Sequence, residues 1–205
     1  MNLFADLENE DQIIRFELPD AEIHFQQRFF DLKESENLFD NLLSKINWRQ
    51  DKIKIFNKNL YIPRLNAWYA DPGLSYTYSG IKLAPNSWNE DLIFIKERLE
   101  KQCSINFNSV LINLYRDGSD SMGWHQDDEK ELGKNPIIAS ISFGQERSFQ
   151  LKHINNKTVS KVTIPLSNGS LLLMKGSTQH FWKHQIPKTT KQIKPRINLT
   201  FRNIR

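Results

Sequence analysis

The chain from residue 105 to the C-terminus is a succession of short β-prone segments, and no helix-like segment follows any of them. Turn-forming pairs such as Asp117-Gly118 and Asn168-Gly169 separate the segments. A parallel sheet is disfavoured, because its strands need helical crossovers between them. The pattern therefore predicts an antiparallel sandwich or jelly roll with strands at 110–115, 136–143, 148–153, 161–164, 170–174 and 181–185, and a closing strand from Arg196.

Two amphipathic helices are predicted to flank this sheet. Apolar residues recur at steps of three and four between residues 34 and 47. The second helix runs from about Trp88 to Lys101, with Ser87 as N-cap and Glu90 completing a capping box. Between the helices, residues 52–83 contain turns and several aromatic residues, which predicts hairpins. Their aromatic side chains would either fill a core or stack on nucleic-acid bases beside neighbouring lysines.

The closing strand places apolar and basic side chains on opposite faces. Ile197, Leu199 and Phe201 point one way, and Arg196 and Arg202 point the other, together with two polar residues between them. A guanidinium on the inner side of a core strand needs an anion, because an unpaired buried charge is not tolerated. A small dicarboxylate would satisfy this requirement.

A candidate metal site lies upstream. His125 and Asp127 are two residues apart, so on an extended segment both side chains reach one ion. His184, in a later strand, completes two imidazoles and a carboxylate, the facial triad of non-haem Fe(II) oxygenases, with zinc as the second choice of metal. His180 is the alternative third ligand. The alternative without a metal is that His125 is a hydrogen-bonded core histidine and His184 an ordinary surface histidine.

An Fe(II) oxygenase with this ligand set commonly uses a 2-oxo acid that chelates the metal and anchors its far carboxylate on an arginine. Arg196 suits that anchor. Asn113 and Tyr115 share one face of an upstream strand and offer an amide and a phenol to the same carboxylates, or are ordinary strand polarity.

Charge divides the chain into unequal parts. Residues 1–20 carry six acids and one base, a composition that predicts a loosely packed acidic arm. The rest of the chain is therefore strongly basic, although the net charge of the whole chain is only +4. The residues from Arg147 onwards include no acid, which favours a nucleic-acid partner or an ordinary solvated face. The single cysteine, Cys103, fits a reducing compartment, and the chain lacks an apolar stretch of membrane-spanning length and a secretory start. A cytoplasmic monomer without a membrane partner is expected.

Several stretches carry these residues in a combined pattern. They are Asn113-Leu114-Tyr115, Trp124-His125-Gln126-Asp127-Asp128-Glu129, Ser140-Ile141-Ser142-Phe143-Gly144, His184 and Pro195-Arg196-Ile197-Asn198-Leu199-Thr200-Phe201-Arg202. Together they resemble the AlkB-type Fe(II)- and 2-oxoglutarate-dependent dioxygenases, which are nucleic-acid demethylases, over about residues 55–205. Ile62-Pro63-Arg64, the stretch 73–80 and the adjacent acids are most similar to the duplex-DNA alkylation-repair branch.

The resemblance implies a mainly β (α+β) protein whose double-stranded β-helix holds Fe(II) on His125, Asp127 and His184. It implies that Arg196 and Tyr115 bind the distal carboxylate of 2-oxoglutarate. Asn113 and Arg202 would lie near the end of 2-oxoglutarate that chelates the metal. With O2, the enzyme would oxidise N-methyl groups on damaged DNA bases and release formaldehyde, succinate and CO2. An RNA, protein or metabolite oxygenase and a non-catalytic nucleic-acid-binding jelly roll are the alternatives.

The implied domain organisation is one dioxygenase domain over 21–205. Residues 52–83 would form nucleotide-recognition hairpins, or a lid, over a catalytic core at 105–205. The substrate contacts implied by the resemblance are Tyr76, Tyr78, Asp128, Glu129 and Phe56. Phe56 would act as a wedge that fills the gap left by a flipped base, or else would pack in the core.

Overall fold

The computed structural model describes residues 12–55, 58–74, 76–78, 81–83 and 85–205. The strands are β1 (Ile13–Phe16), β2 (Glu22–Gln26), β3 (Lys52–Ile55), β4 (Lys58–Tyr61), β5 (Leu65–Ala70), β6 (Tyr76–Tyr78), β7 (Ile81–Leu83), β8 (Ser109–Tyr115), β9 (Met122–His125), β10 (Ile138–Gly144), β11 (Arg147–His153), β12 (Val162–Leu166), β13 (Ser170–Lys175), β14 (Trp182–Ile186) and β15 (Arg196–Arg202). The helices are α1 (Leu32–Lys45), α2 (Glu90–Cys103) and the short α3 (Thr178–Phe181). None of the helices in the described ranges is long and apolar enough to cross a membrane.

Two antiparallel sheets form the body of the protein. The major sheet has seven strands in the order β1-β2-β13-β10-β15-β8-β5, and the minor sheet has the order β12-β11-β14-β9. The predicted jelly roll is confirmed. Each predicted strand has an observed counterpart, and the predicted and observed ends differ by no more than two residues. The short strand β9 was not predicted, because it carries a glycine and only four residues.

The core has two layers, one on each side of the major sheet. One layer lies between the two sheets, and the other lies between the major sheet and the two long helices. Strand β15 is buried on both faces and separates them: Ile197, Leu199 and Phe201 belong to the helix-side layer. Arg196 and Arg202 instead line a polar cavity between the sheets. The predicted alternation of this strand is therefore confirmed.

Helix capping differs from one prediction. Helix α2 begins at Glu90, and the Asn89 side chain accepts a hydrogen bond from the backbone N–H of Leu92 at 2.9 Å. The prediction of Ser87 as N-cap was therefore wrong, because Asn89 is an equally good cap two residues closer to the apolar stripe. Helix α1 begins earlier than predicted, behind a capping box formed by Asp31 and Glu34.

The predicted acidic arm needs correction at its second half. Strand β1 pairs with β2, which in turn pairs with β13, so residues 13–16 form the edge of the major sheet. Phe16 packs into the layer between the sheets, and Trp182 donates a hydrogen bond from Nε1 to the carbonyl of Pro19 at 2.9 Å. Long-range pairing stabilises these residues, which the local acidic composition could not reveal. Residues 1–11 lie outside the described residues.

The region 52–83 contains the predicted hairpins and also a core strand. Strands β3 and β4 pair as one hairpin, and β6 and β7 pair as another. Strand β5 does not belong to a lid, because it pairs with β8 along the edge of the major sheet. Its run of buried residues from Asn66 to Ala70 explains that position.

Candidate metal and co-substrate site

The minor sheet brings the predicted triad together. His125 ends β9, His184 lies in the middle of β14, and the two residues are paired across the strands. Asp127 follows two residues after β9. One ligand atom from each of the three side chains lies within 4.8 Å of the others, a separation suited to one metal ion. His184 Nε2 is 3.8 Å from Asp127 Oδ2.

The protonation states of the triad suit a cation. Burial alone would raise the pKa of Asp127, but Arg202 and the two imidazoles lower it. Burial lowers the pKa of His184 to about 3, with a further contribution from His125. Burial also lowers the pKa of His125. At neutral pH the site therefore holds one carboxylate and two neutral imidazoles, the forms that bind a divalent metal.

Neighbouring groups fix the orientation of the triad. The Nδ1 atom of His125 lies 2.8 Å from the carbonyl of Gly123, and the ring of His184 stacks on Phe149 with centroids 5.1 Å apart. Arg202 donates from Nη2 to Asp127 Oδ1 at 2.6 Å, and both side chains are buried. Hydrogen-bonded groups of this kind set the orientation and basicity of metal ligands.

Gln179 is a positioning side chain that the sequence did not indicate. It is buried in α3, and its Oε1 accepts a hydrogen bond from the backbone N–H of Asp127 at 3.0 Å. Its backbone carbonyl accepts a second hydrogen bond from Gln126 Nε2 at 2.7 Å. Because Gln179 and Asp127 are 52 residues apart, only the folded chain reveals this contact.

His180 does not serve as the alternative third ligand. It lies in α3 and not on the strand face of His184, it is exposed, and its Nε2 is 2.9 Å from Asn135 Oδ1. The structure groups His125, Asp127 and His184 without it. The alternative prediction of His180 as third ligand was therefore wrong, because the segment turns through a short helix before β14 begins.

A polar cavity continues from the triad between the sheets. Residues from both sheets line it: Leu111, Asn113, Tyr115, Met122, His125, Asp127, Ser140, Phe149, Leu166, Met174, His184, Gln185, Ile186, Arg196, Asn198, Thr200 and Arg202. All four predicted co-substrate residues are in this set. Arg202 contacts Asp127, and Arg196, six residues earlier on β15, is paired with Tyr115, so the cavity joins a metal-binding end to an end lined by Arg196 and Tyr115.

Arg196 is a buried cation with donors to spare. It is 1 % exposed, and its Nη2 donates to Ser142 Oγ at 2.9 Å. Its Nε and Nη1 atoms have no hydrogen-bond partner among the described residues. Burial lowers the pKa of Arg196 to about 10, so it remains charged at neutral pH. A buried guanidinium with two unused donors fits a carboxylate.

Asn113 also has a partner that the sequence did not indicate. Its Oδ1 accepts a hydrogen bond from Arg64 Nε at 2.9 Å, and Arg64 Nη1 donates to the carbonyl of Ser121 at 3.2 Å. Arg64 is buried and lines a groove that opens beside His125, on the outer side of the triad. It therefore lies between the co-substrate cavity and this groove.

The predicted substrate residues are described only in part. Glu129 lines the groove beside His125, with Trp124 and Arg64. Asp128 is exposed. Phe56 lies outside the described residues, as do the side chains of Tyr76 and Tyr78, whose backbone forms β6.

The sequence and the fold both have known relatives. Residues 22–202 match the family described as the 2OG-Fe(II) oxygenase superfamily. The chain belongs to this superfamily. It is 42 % identical over 184 residues to the alpha-ketoglutarate-dependent dioxygenase alkB homolog 3 of Bos taurus, covering 86 % of this chain and 64 % of that relative. It is 38 % identical over 184 residues to the human DNA oxidative demethylase ALKBH2, covering 85 % of this chain and 70 % of ALKBH2.

These relatives place this 2OG-Fe(II) oxygenase in the AlkB group. The chain spans about two thirds of the length of the alkB homolog 3 proteins that it matches. The solved structure of OsALKBH1 superimposes with a TM-score of 0.62 at 15 % identity, over 94 % of this chain and 100 % of that one, which supports the fold.

Fe(II) and 2-oxoglutarate are the metal and co-substrate of this superfamily, and the residues fit both. Two neutral imidazoles and an ionised carboxylate form the ligand set for iron. The unused donors of Arg196, at the other end of the same cavity, fit the far carboxylate of 2-oxoglutarate. The fit rests on the ligand atoms of the triad and on the two unused donors of the buried Arg196 side chain.

Proposed function

We propose that this protein demethylates N-alkylated bases in DNA oxidatively, with Fe(II), 2-oxoglutarate and O2, and releases formaldehyde, succinate and CO2. The observation that carries the proposal is the pairing of a metal triad with a buried guanidinium that has two unused donors in one cavity. The relationship to ALKBH2, which is named as a DNA oxidative demethylase, supports DNA as the substrate.

The triad would hold the iron, which when bound supplies the activation of O2 that couples 2-oxoglutarate decarboxylation to oxidation of the methyl group. Asp127 provides the anionic ligand and is kept ionised by Arg202. The neutral imidazoles of His125 and His184 provide the other two ligands, and the packing of His184 against Phe149 fixes the plane of its ring.

The inner cavity would bind 2-oxoglutarate. Arg196 and Tyr115 would hold its distal carboxylate. Arg196 has two unused donors, and its guanidinium carbon lies 5.3 Å from the centroid of the Tyr115 ring. Asn113 and Arg202 would lie near its metal-chelating end. The Arg64 hydrogen bond fixes the Asn113 amide in one orientation.

The groove beside His125 would receive the damaged base. A base in a duplex must leave the stack to reach a buried metal, and a lesion that blocks pairing lowers the cost of flipping. Glu129 lines this groove and would contact the base edge or balance the charge of a cationic methylated base. We propose Tyr76, Tyr78 and Asp128 as further base contacts and Phe56 as the wedge.

The basic C-terminal part would contact the phosphate backbone. Lys188, Lys191, Lys194 and Arg205 are exposed and Lys183 is half-buried, and these five side chains are the proposed phosphate contacts. Because phosphate contacts release counterions, DNA affinity should fall steeply with salt concentration.

Formaldehyde release tests the proposed function. The wild-type protein should release formaldehyde from N-methylated DNA only with Fe(II) and 2-oxoglutarate, and His184→Ala should abolish the release. Methylated single-stranded DNA, duplex DNA and RNA are compared side by side. Greater turnover of RNA would replace DNA as the substrate, and turnover that survives His184→Ala or the omission of 2-oxoglutarate would overturn the mechanism.

A further inference from the structure

Arg147 is a second buried cation at the same end of the interior as Arg196. It begins β11, faces the layer between the sheets and is 4 % exposed. Its guanidinium carbon lies 5.6 Å from the centroid of the Tyr115 ring, and that of Arg196 lies 5.3 Å from the same centroid. The two guanidinium carbons are therefore at most about 11 Å apart.

The hydrogen bonds of Arg147 go to carbonyl groups. Its Nη1 donates to the Asp117 carbonyl at 3.2 Å, and its Nη2 donates to the carbonyls of Asp120 and Pro187 at 2.9 and 2.8 Å. Within the described part of the chain, no carboxylate forms an ion pair with Arg147 or Arg196. The interior around Tyr115 thus holds two cations without a directly paired carboxylate, and the more distant charges of Asp120 and Asp117 favour the charged form of Arg147 alone.

The carboxylates of Asp120 and Asp117, near Arg147, form hydrogen bonds with other groups. The Asp120 side chain accepts three hydrogen bonds from Arg116, one from its backbone N–H and two from its guanidinium. The Asp117 side chain accepts hydrogen bonds from the backbone and hydroxyl groups of Ser119. Both carboxylates therefore have nearer partners than Arg147.

The two buried cations oppose each other electrostatically. Burial is the main cause that lowers the pKa of Arg196, and the charge of Arg147 lowers it further, whereas Tyr115 raises it. An anion bound to Arg196 would relieve this repulsion as well as the cost of burying the charges.

We infer that Arg147 is a positioning and selectivity residue for the co-substrate: it packs against Tyr115 and adds a second positive charge that favours a distal carboxylate at Arg196. It does not touch the co-substrate, because it is outside the set of residues that line the cavity and lines a different pocket with Pro187 and Lys188. The consequence is a stronger preference for a 2-oxo dicarboxylate over a 2-oxo monocarboxylate. The inference rests on the proposed role of Arg196 and Tyr115.

The test compares two ligands that differ only at the far end. In 2-oxopentanoate a methyl group replaces the distal carboxylate of 2-oxoglutarate. Binding of each ligand to the full chain loaded with Mn(II), which reports affinity without turnover, is measured by titration calorimetry. A unit charge roughly 8 to 10 Å from a carboxylate, at an effective dielectric constant of about 20, changes affinity by about 20-fold.

Arg147→Gln removes the charge and retains an amide that can still donate to a carbonyl. It should weaken 2-oxoglutarate binding about 20-fold and change 2-oxopentanoate binding by less than about twofold. Arg147→Lys keeps the charge and should retain the preference for 2-oxoglutarate within about threefold. If Arg147→Gln does not fold, loss of the preference in Arg147→Lys overturns the inference and its retention supports it.

Arg116→Gln is the matched control. Arg116 also contacts Asp120, but it binds the side-chain carboxylate, whereas Arg147 binds the backbone carbonyl. The Arg116 side chain is also 46 % exposed. The substitution should leave both affinities unchanged. An Arg147→Gln variant that weakens both ligands equally, or neither, overturns the inference, as does an equal effect of Arg116→Gln. Wild-type protein that does not bind 2-oxoglutarate overturns the proposed function as well.

Discussion

Removal of Arg202 should expose the energetic cost of a buried carboxylate at the candidate metal site. Arg202 and Asp127 are joined at 2.6 Å, and their side chains are only 4 % and 2 % exposed. Arg202→Met leaves the charge of Asp127 buried without this partner. Breaking a buried ion pair from one side costs about 3–5 kcal/mol, which in a domain of this size lowers the melting temperature by roughly 10 °C.

A double-mutant cycle separates the pair from general damage to the core. Asp127→Asn removes the orphaned charge, so the double variant should be more stable than the sum of the two single changes predicts, by at least about 1 kcal/mol. Unfolding in urea, followed by circular dichroism with chelator present, gives each free energy. Because Lys45 pairs with Asp91 while 52 % exposed, Lys45→Met should cost less than about 1 kcal/mol.

Two results would contradict this role of the Arg202–Asp127 pair. The first is an Arg202→Met variant destabilised by less than about 1 kcal/mol, which would mean that the Asp127 carboxylate is solvated or protonated in the folded state. The second is strict additivity in the cycle, which would mean that Arg202 stabilises the protein through packing of its stem alone.

Three further predictions follow from other contacts. Gln179→Ala removes the acceptor for the Asp127 N–H and should weaken Mn(II) binding about 10- to 100-fold while the protein stays folded; unchanged affinity in a metal titration would contradict this role. Burial raises the pKa of Cys103 to about 11, so only about 0.1 % of the thiol is ionised at pH 8. Labelling by a thiol reagent should therefore be slow at pH 8 and accelerate about tenfold per pH unit up to that pKa. Rapid labelling at pH 8 would contradict the raised pKa. Gly169 has φ +76°, and a Cβ there would collide with the Phe30 carbonyl, so Gly169→Ala should lower unfolding stability by more than about 1 kcal/mol; an unchanged melting temperature would show that the turn relaxes.

The parts of the site that the sequence predicted share a local pattern. The alternation along β15 places Arg196 on the cavity face, and the two-residue spacing of His125 and Asp127 brings both to one point. A period of two is a property of the strand itself, so it can be read before the partners of the strand are known. His184 was added as the second imidazole of a facial triad, and the resemblance to a known family then supported this set.

The parts that the sequence did not predict depend on contacts between distant residues. Gln179 meets Asp127 across 52 positions, and Arg64 meets Asn113 across 49. Neither residue carries a local signal that separates it from an ordinary polar side chain. Strand β1 was missed for a similar reason, because its acidic neighbourhood suggested an arm and only pairing with β2 shows its place in the sheet.

The most direct test of the account is anaerobic titration of the purified protein with Fe(II) and 2-oxoglutarate. Chelation of the metal by the co-substrate should produce a visible charge-transfer band in the wild-type protein. The band should be lost in His184→Ala, and Arg196→Met should require a much higher 2-oxoglutarate concentration to form it. A wild-type protein without the band, or a band that neither substitution alters, would contradict the assignment of this cavity.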